Sequence, residues 1–239
     1  MTKPTISVII PVYNEERTIA SIVEVVRTWP QDREIIVVND EATTDGTIAA
    51  IKHFGRSITV ITNKKNRGRG DAIAEGIAHA HGDILVLLEG DITNLTHRDL
   101  DSLVSPFFKG KAEMVIGVPR YWRAGSFEPF NDVSGTRVVL RKNVRGHLVH
   151  IRKKGYGVEV YLNKIHARKR VVNVRLPHVF VFNKFEKQLV PDAARAYIRE
   201  ARELFGEIIR QNARELSPQA RRVMRGVYRY LKVALDYFQ

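Results

Sequence analysis

The 239-residue chain contains no cysteine. That absence excludes disulfides, thiolate catalysis and cysteine-ligated zinc or iron–sulfur centres, so any metal must be held by Asp, Glu or His. It also fits a reducing, cytoplasmic setting. Long apolar runs are missing as well: the densest, Ile84 to Leu88, falls far short of the roughly 20 residues needed to cross a bilayer. The N-terminal stretch has one lysine and an apolar run broken by Pro11, unlike a secretory leader. Acids are scarce relative to bases, 26 against 39, for a net charge of +13. Such an excess favours polyanionic partners: nucleic acid, an anionic lipid surface or phosphorylated small molecules. The cations are spread along the chain without a helix-turn-helix, zinc-finger or aromatic RNA-binding pattern, so nucleic acid is not expected.

What the sequence does have is core. At 44% hydrophobic residues the chain can bury a sizeable interior and is expected to fold as one compact unit. Short β-branched runs at Ile6–Ile10, Glu34–Val38, Ile58–Ile61 and Ile84–Leu88 read as buried parallel strands. Between them, Arg17–Thr28, Gly46–Phe54 and Asp71–Ala80 carry apolar residues at helical spacing. Alternating strands and helices make right-handed crossovers with helices on both faces of a mainly parallel sheet, and ligands then bind beyond the carboxyl ends of the strands. Ala112–Val118 is a further strand candidate, and Pro119–Asp132 reads as a long loop beside a site. Helical patterns are expected from about Ser134 to His166, with strands at Val171–Arg175 and near Val179–Phe182. After Pro191 the chain reads as helical, Ser217-Pro218 starting the last helix. There Val223, Val227, Tyr230, Leu231 and Leu235 alternate with Arg222, Arg225, Arg229 and Lys232. Such a basic amphipathic helix suits packing on the domain, a homodimer contact or an anionic membrane surface.

Polar and glycine-rich segments follow the strand candidates. They read VIIPVYNEERTI (Val8–Ile19), IIVVNDEATTDGT (Ile35–Thr47), NRGRGDAIAEGI (Asn66–Ile77) and ILVLLEGDITN (Ile84–Asn94). Glu89-Gly90-Asp91 places two carboxylates two residues apart beyond a buried strand, hard oxygen ligands suited to Mg²⁺ or Mn²⁺. Asn66-Arg67-Gly68-Arg69-Gly70 puts two cations just before a helix, where phosphates are attracted, although no Walker lysine follows.

In order and spacing, these four segments resemble the motifs of family 2 glycosyltransferases, the nucleotide-sugar enzymes with the GT-A fold. Ser134–Arg137 (SGTR) and Gly155–Val160 (GYGVEV) are similar to segments of the polyprenyl-phosphate sugar transferases within that group. The resemblance covers about residues 5 to 185. It implies a Rossmann-like α/β nucleotide-diphospho-sugar transferase domain over residues 1–185 and a helical extension over 186–239.

By the same resemblance, Pro11, Tyr13, Glu15 and Asp40 meet the nucleoside, Asp40 accepting a base N–H. Arg69, Glu89, Gly90, Arg120 and Arg137 contact the rest of the donor or an anionic acceptor. Asp91 and Glu89 bind the metal together with His178. Glu89 replaces the usual first aspartate, which makes Asp91 the firmer ligand. Asp91 and Glu159 are the expected catalytic residues, Glu159 near the acceptor. Structural readings stand beside these: Glu15 and Glu16 as helix N-terminal charge, Asp45 as a cap, the glycines as close packing, His178 as a strand residue, and Arg120 and Arg137 as surface charge.

The implied function is metal-dependent transfer of a hexose from a UDP- or GDP-sugar to polyprenyl phosphate with inversion, in the cytoplasm or at the inner face of the cell membrane. A retaining transferase for a soluble phosphorylated acceptor such as phosphoglycerate is the nearest alternative. A non-catalytic nucleotide-sugar binder and a nucleic-acid-binding module are the alternatives of other classes.

Overall fold

A computed structural model describes residues 4–63, 68–121 and 134–181 and Glu203. Most of the loop expected at Pro119–Asp132, and the helical extension apart from Glu203, lie outside the described residues.

Among the described residues eight strands form one sheet: β1 (Ile6–Val12), β2 (Arg33–Asn39), β3 (Thr59–Thr62), β4 (Ile84–Leu87), β5 (Ile92–Thr93), β6 (Met114–Tyr121), β7 (Arg137–Leu140) and β8 (Val171–Val181). Their order is β3-β2-β1-β4-β7-β6-β8-β5. The first four are mutually parallel, with Ile6 opposite both Arg33 and Ile84 and Ile36 opposite Thr59. β1, β2 and β4 are buried nearly throughout, as expected for strands covered on both faces. β7 runs antiparallel to β4 and β6, β6 pairs parallel with β8, and β5 closes the sheet antiparallel to β8.

Helices α1 (Ile19–Thr28), α2 (Thr47–Ile51) and α4 (His97–Phe108) cover one face, and α3 (Arg69–His79), the short α5 (Arg141–Val144), α6 (Leu148–Arg152) and α7 (Val158–Ile165) the other. Ile19, Ile22, Val23 and Val26, at helical spacing on α1, are all 1% exposed or less. Each such buried side chain contributes roughly 1.5–3 kcal/mol relative to an exposed one, so a charge at Val23 would dislodge α1. On the opposite face Gly76 lets α3 lie on Ile9, because any Cβ there would strike the Ile9 side chain.

The sequence misses the two-residue β5 and two larger elements. The helical pattern expected from Ser134 begins as β7, whose Val138 and Val139 are fully buried between β4 and β6. Helix α4 carries a capping box, Thr96 and Asp99 exchanging hydrogen bonds with each other's backbone N–H. The two strand candidates after Val171 are one strand, its register with β6 shifting between Pro119 and Arg120.

Candidate active site at the carboxyl ends of the strands

Because β1, β2 and β4 are parallel, the loops after Val12, Asn39 and Leu87 open at one rim. The antiparallel β7 brings Ser134–Arg137 to the same rim, Arg137 lying opposite Leu87. Hydrogen bonds zip the first two loops together. Asn14, with φ 55, accepts the Thr44 N–H at 2.9 Å; asparagine tolerates that left-handed backbone better than most residues. The Glu15 N–H donates to the Thr47 hydroxyl at 2.7 Å, and Glu16 accepts the Gly46 N–H at 2.8 Å. Asp45 accepts the N–H groups of Glu16 and Thr47, helping to cap α2. Glu16 and Asp45 therefore hold loops, while Tyr13, 42% exposed, and the half-buried Glu15 stand at the rim.

Asp40 is buried, its N–H donating to the Val12 carbonyl at 3.0 Å. One carboxylate oxygen accepts the Ala42 N–H at 3.0 Å; among the described residues the other makes no hydrogen bond and is available as an acceptor. Gly90 packs on the end of β1. A Cβ there would lie about 3 Å from Val12, Glu15 and the Pro11 carbonyl, and the Thr18 hydroxyl donates to the Gly90 carbonyl at 2.6 Å. That fit fixes where the flanking Glu89 and Asp91 stand.

Three elements converge beside them. Arg69 in the first turn of α3 sets Nε 2.8 Å from Glu159 Oε1, in the first turn of α7, and Nη2 3.6 Å from Glu89 Oε1. The side chains of Arg69, Glu89 and Glu159 are 20%, 13% and 7% exposed. The Thr136 hydroxyl donates to Glu89 Oε2 at 3.3 Å. Gly135 is the wall: a methyl there would collide with the Arg69 guanidinium. Gly70 lets the start of α3 approach the Ile151 carbonyl and the Gly155 N–H.

Burial pushes the Glu89 carboxyl up to about 7; Arg69 pulls it down, while Asp91 and Glu159 add repulsion. Burial alone would weaken the charge on Arg69, but Glu159, Glu89 and Asp91 raise its pKa and hold it protonated. One cation thus faces three acids in a partly enclosed corner, a concentration of like charge that marks functional sites.

Glu89 and Asp91 offer the hard oxygen ligands that suit a divalent cation. Glu89 is engaged by Arg69 and Thr136, and among the described residues no three carboxylates or imidazoles form a metal cage. A hard ion held by one or two carboxylates completes its shell with phosphate oxygens and water, the usual arrangement for Mg²⁺.

The remaining expected residues are spread more widely. His178 is exposed on β8, whose end runs beside the segment after Asp91 through the Ile92–Val181 pairing. Arg120 is exposed, its guanidinium 5.9 Å from the Phe180 ring centroid. Arg137 departs from the sequence reading. It is fully buried, its Nε donating to the Ser134 carbonyl at 2.8 Å and Nη1 to Asn163 Oδ1 at 2.6 Å. Its guanidinium braces β7 against α7 and does not open onto the rim. Glu203, which the motifs do not signal, accepts the Tyr156 N–H at 2.9 Å, next to the turn before Glu159.

Comparisons with known proteins bear on the family and the fold. The family model described as "Glycosyl transferase family 2" matches residues 7–173. Dodecaprenyl-phosphate galacturonate synthase of Rhizobium johnstonii is 27% identical over 129 residues, 51% of this chain and 38% of that protein. The putative glycosyltransferase EpsE of Bacillus subtilis is 30% identical over 118 residues, 48% of this chain and 42% of that protein. The chain therefore matches about two-fifths of the length of these relatives. Among solved structures, glucosyl-3-phosphoglycerate synthase from Mycobacterium tuberculosis, in complex with Mn²⁺, UDP and phosphoglyceric acid, superposes with a TM-score of 0.66 at 21% identity. That match covers 86% of this chain and 78% of the other and carries the GT-A architecture. With the family model spanning β1 to β7, the strand-end loops and the α7 acid, the chain belongs to glycosyl transferase family 2.

Proposed function

We propose that the protein transfers a hexose from a nucleoside-diphosphate sugar to a phosphorylated acceptor, polyprenyl phosphate in the first instance, with inversion at the anomeric carbon. One observation carries the reading: Arg69 bridges Glu89 and Glu159 at the rim where the loops bearing Asp40 and Asp91 also open. Asp40 accepts the base N–H, and Tyr13, Glu15 and the backbone at Pro11 enclose the nucleoside. Arg69 exchanges a carboxylate partner for a diphosphate oxygen, to which a guanidinium donates strongly. Asp91, with Glu89 or His178, would hold Mg²⁺ or Mn²⁺, which would supply positive charge against the leaving diphosphate. An acceptor oxygen bonds to the anomeric carbon as the bond to the diphosphate oxygen breaks, and the nucleoside diphosphate leaves with the electron pair. A phosphate acceptor arrives already ionised, so Glu159 orients it; a hydroxyl acceptor would pass its proton to Glu159. Arg120 lies on the acceptor side.

The name of the Rhizobium relative supports a polyprenyl-phosphate acceptor. The catalytic unit is assigned to residues 1–185 and the extension to 186–239, working in the cytoplasm or on the inner face of the cell membrane. Among the described residues no helix is long and apolar enough to cross a membrane. The phosphoglycerate-using structural neighbour favours a second reading, a retaining transferase for a soluble phosphorylated acceptor.

A thermal-shift panel of UDP- and GDP-sugars with Mn²⁺ tests donor binding, because a specific ligand raises the melting temperature by mass action. Incubating the best donor with polyprenyl phosphate or 3-phosphoglycerate, and reading the anomeric configuration of the product by NMR, then separates the two readings. Absence of a shift with every nucleotide sugar overturns both.

A further inference from the structure

The positive charge is unevenly placed. No acidic residue occurs between Asp132 and Glu159, while six of the fourteen residues from Arg141 to Lys154 are Lys or Arg. Helix α5, a single 3-10 turn over Arg145–His147 and α6 follow one another as a rod kinked at His147, where the backbone leaves the helical region. Its inner stripe, Val144, Leu148 and Ile151, packs into the core beneath α3. On the outside of the same segment Lys142, Arg145, Val149 and Lys153 are all exposed. Val149 is 66% exposed, more than any other large hydrophobic of the described residues. Arg152 and Lys154 face inward, Arg152 pairing with Asp71 and Glu75 and Lys154 lying 5.1 Å from the Tyr161 ring centroid. Among the described residues Lys142, Arg145 and Lys153 have no carboxylate partner.

A merely solvated face mixes charges of both signs. This face offers cations alone around a projecting branched aliphatic, the composition of a surface lying in a lipid headgroup layer. Its outer stripe has no Phe, Tyr or Trp on which a nucleic-acid base would stack. We propose that the outer face of the 141–153 rod docks on an anionic lipid bilayer, with Lys142, Arg145 and Lys153 on headgroup phosphates and Val149 at the acyl boundary. In its purpose the docking rests on the polyprenyl-phosphate reading. The rod leads into the Gly155–Gly157 turn and then Glu159, so a phosphate carried in the bilayer would meet the edge of the site.

Sedimentation of the full chain with vesicles of phosphatidylcholine, with and without phosphatidylglycerol, tests the docking. The wild type is expected to bind only the anionic vesicles. The combined variant Lys142→Glu, Arg145→Glu, Lys153→Glu should lose roughly 100-fold in partitioning, at about fivefold per cation, and Val149→Asp should weaken binding at nearly unchanged net charge. A control reversing Arg98, Lys109 and Lys111, exposed at and beyond the ends of α4 on the opposite face, alters total charge equally and should retain more binding than the rod variant. Wild-type indifference to phosphatidylglycerol, equal losses in rod variant and control, or displacement from vesicles by single-stranded RNA overturns the docking surface. Nucleotide-sugar thermal shifts on the same variants, expected unchanged, read the catalytic proposal separately.

Discussion

The two ends of the parallel sheet treat a half-buried glutamate in opposite ways. At the amino end, Glu34 enters β2 and collects hydrogen bonds from the Ser7 hydroxyl and the backbone N–H groups of His81 and Gly82. Burial opposes its charge, but those donors outweigh burial and hold the carboxyl below its usual range. At the carboxyl end, Glu89 is more enclosed and shares one guanidinium with Glu159, with Asp91 nearby, so its carboxyl rises to about 7. The amino end gathers donors around a single acid and ties β1, β2 and the chain before β4 together. The carboxyl end gathers acids around a single cation and leaves charge for an incoming ligand to balance.

If that contrast is functional, removing acids at the carboxyl end abolishes activity without weakening the fold. Asp91→Ala is expected to lower transfer about 1000-fold, equivalent to the several kcal/mol that a metal contributes to transition-state charge. Its melting temperature should match or exceed that of the wild type. Paired kinetics and calorimetry check this, and a variant that unfolds while keeping turnover would place Asp91 with the structural acids. Gly135→Ala tests the wall. The methyl would force Arg69 from between Glu89 and Glu159, lowering turnover ~100-fold, the rate equivalent of a 1–3 kcal/mol packing penalty at the reacting groups. At the amino end the expectation reverses. Glu34→Ala removes the acceptor shared by Ser7, His81 and Gly82, reducing stability by about 2 kcal/mol after allowance for its partial exposure and leaving donor affinity intact. Because the Glu34 carboxyl is depressed, its contribution is complete above the unfolded value near 4.5 and is lost as pH falls through the lower folded value. Urea unfolding across that acid window would read the loss.

The parallel half of the sheet and the acids at its carboxyl end were legible in the sequence, while the role of Glu34 was not. The β-branched runs gave β1, β2 and β4 because a strand buried on both faces must be apolar throughout, and the motifs then put Asp40, Glu89 and Asp91 at strand ends. β7 was hidden because Arg137-Val138-Val139-Leu140 is too short to separate from a helical segment by periodicity. Arg137 itself was misread because only tertiary structure supplies the Asn163 partner and the enclosure that turn an arginine inward. The Arg69–Glu159 pair joins residues ninety positions apart, and the pattern predicted each acid or base but not their contact. α4 was the readable omission, since Thr96 and Asp99 stand at capping-box spacing ahead of Leu100, Leu103 and Val104.

Glu89→Gln is the smallest and sharpest test. The amide keeps an oxygen for the Thr136 hydroxyl and removes the charge that burial and the two neighbouring acids oppose. A carboxyl near 4.5 in the unfolded chain and about 7 in the folded protein makes the folded state the stronger proton binder between those values, so wild-type stability falls as pH rises through that window. The variant should therefore match the wild type near pH 4.5 and exceed it by about 1–2 kcal/mol above pH 7, less than the full shift implies because Arg69 loses one of its partners. Urea midpoints across that range give the difference directly. A variant less stable than the wild type at pH 8 would mean that the Arg69 attraction outweighs burial, and Glu89 would then resemble Glu34 rather than oppose it.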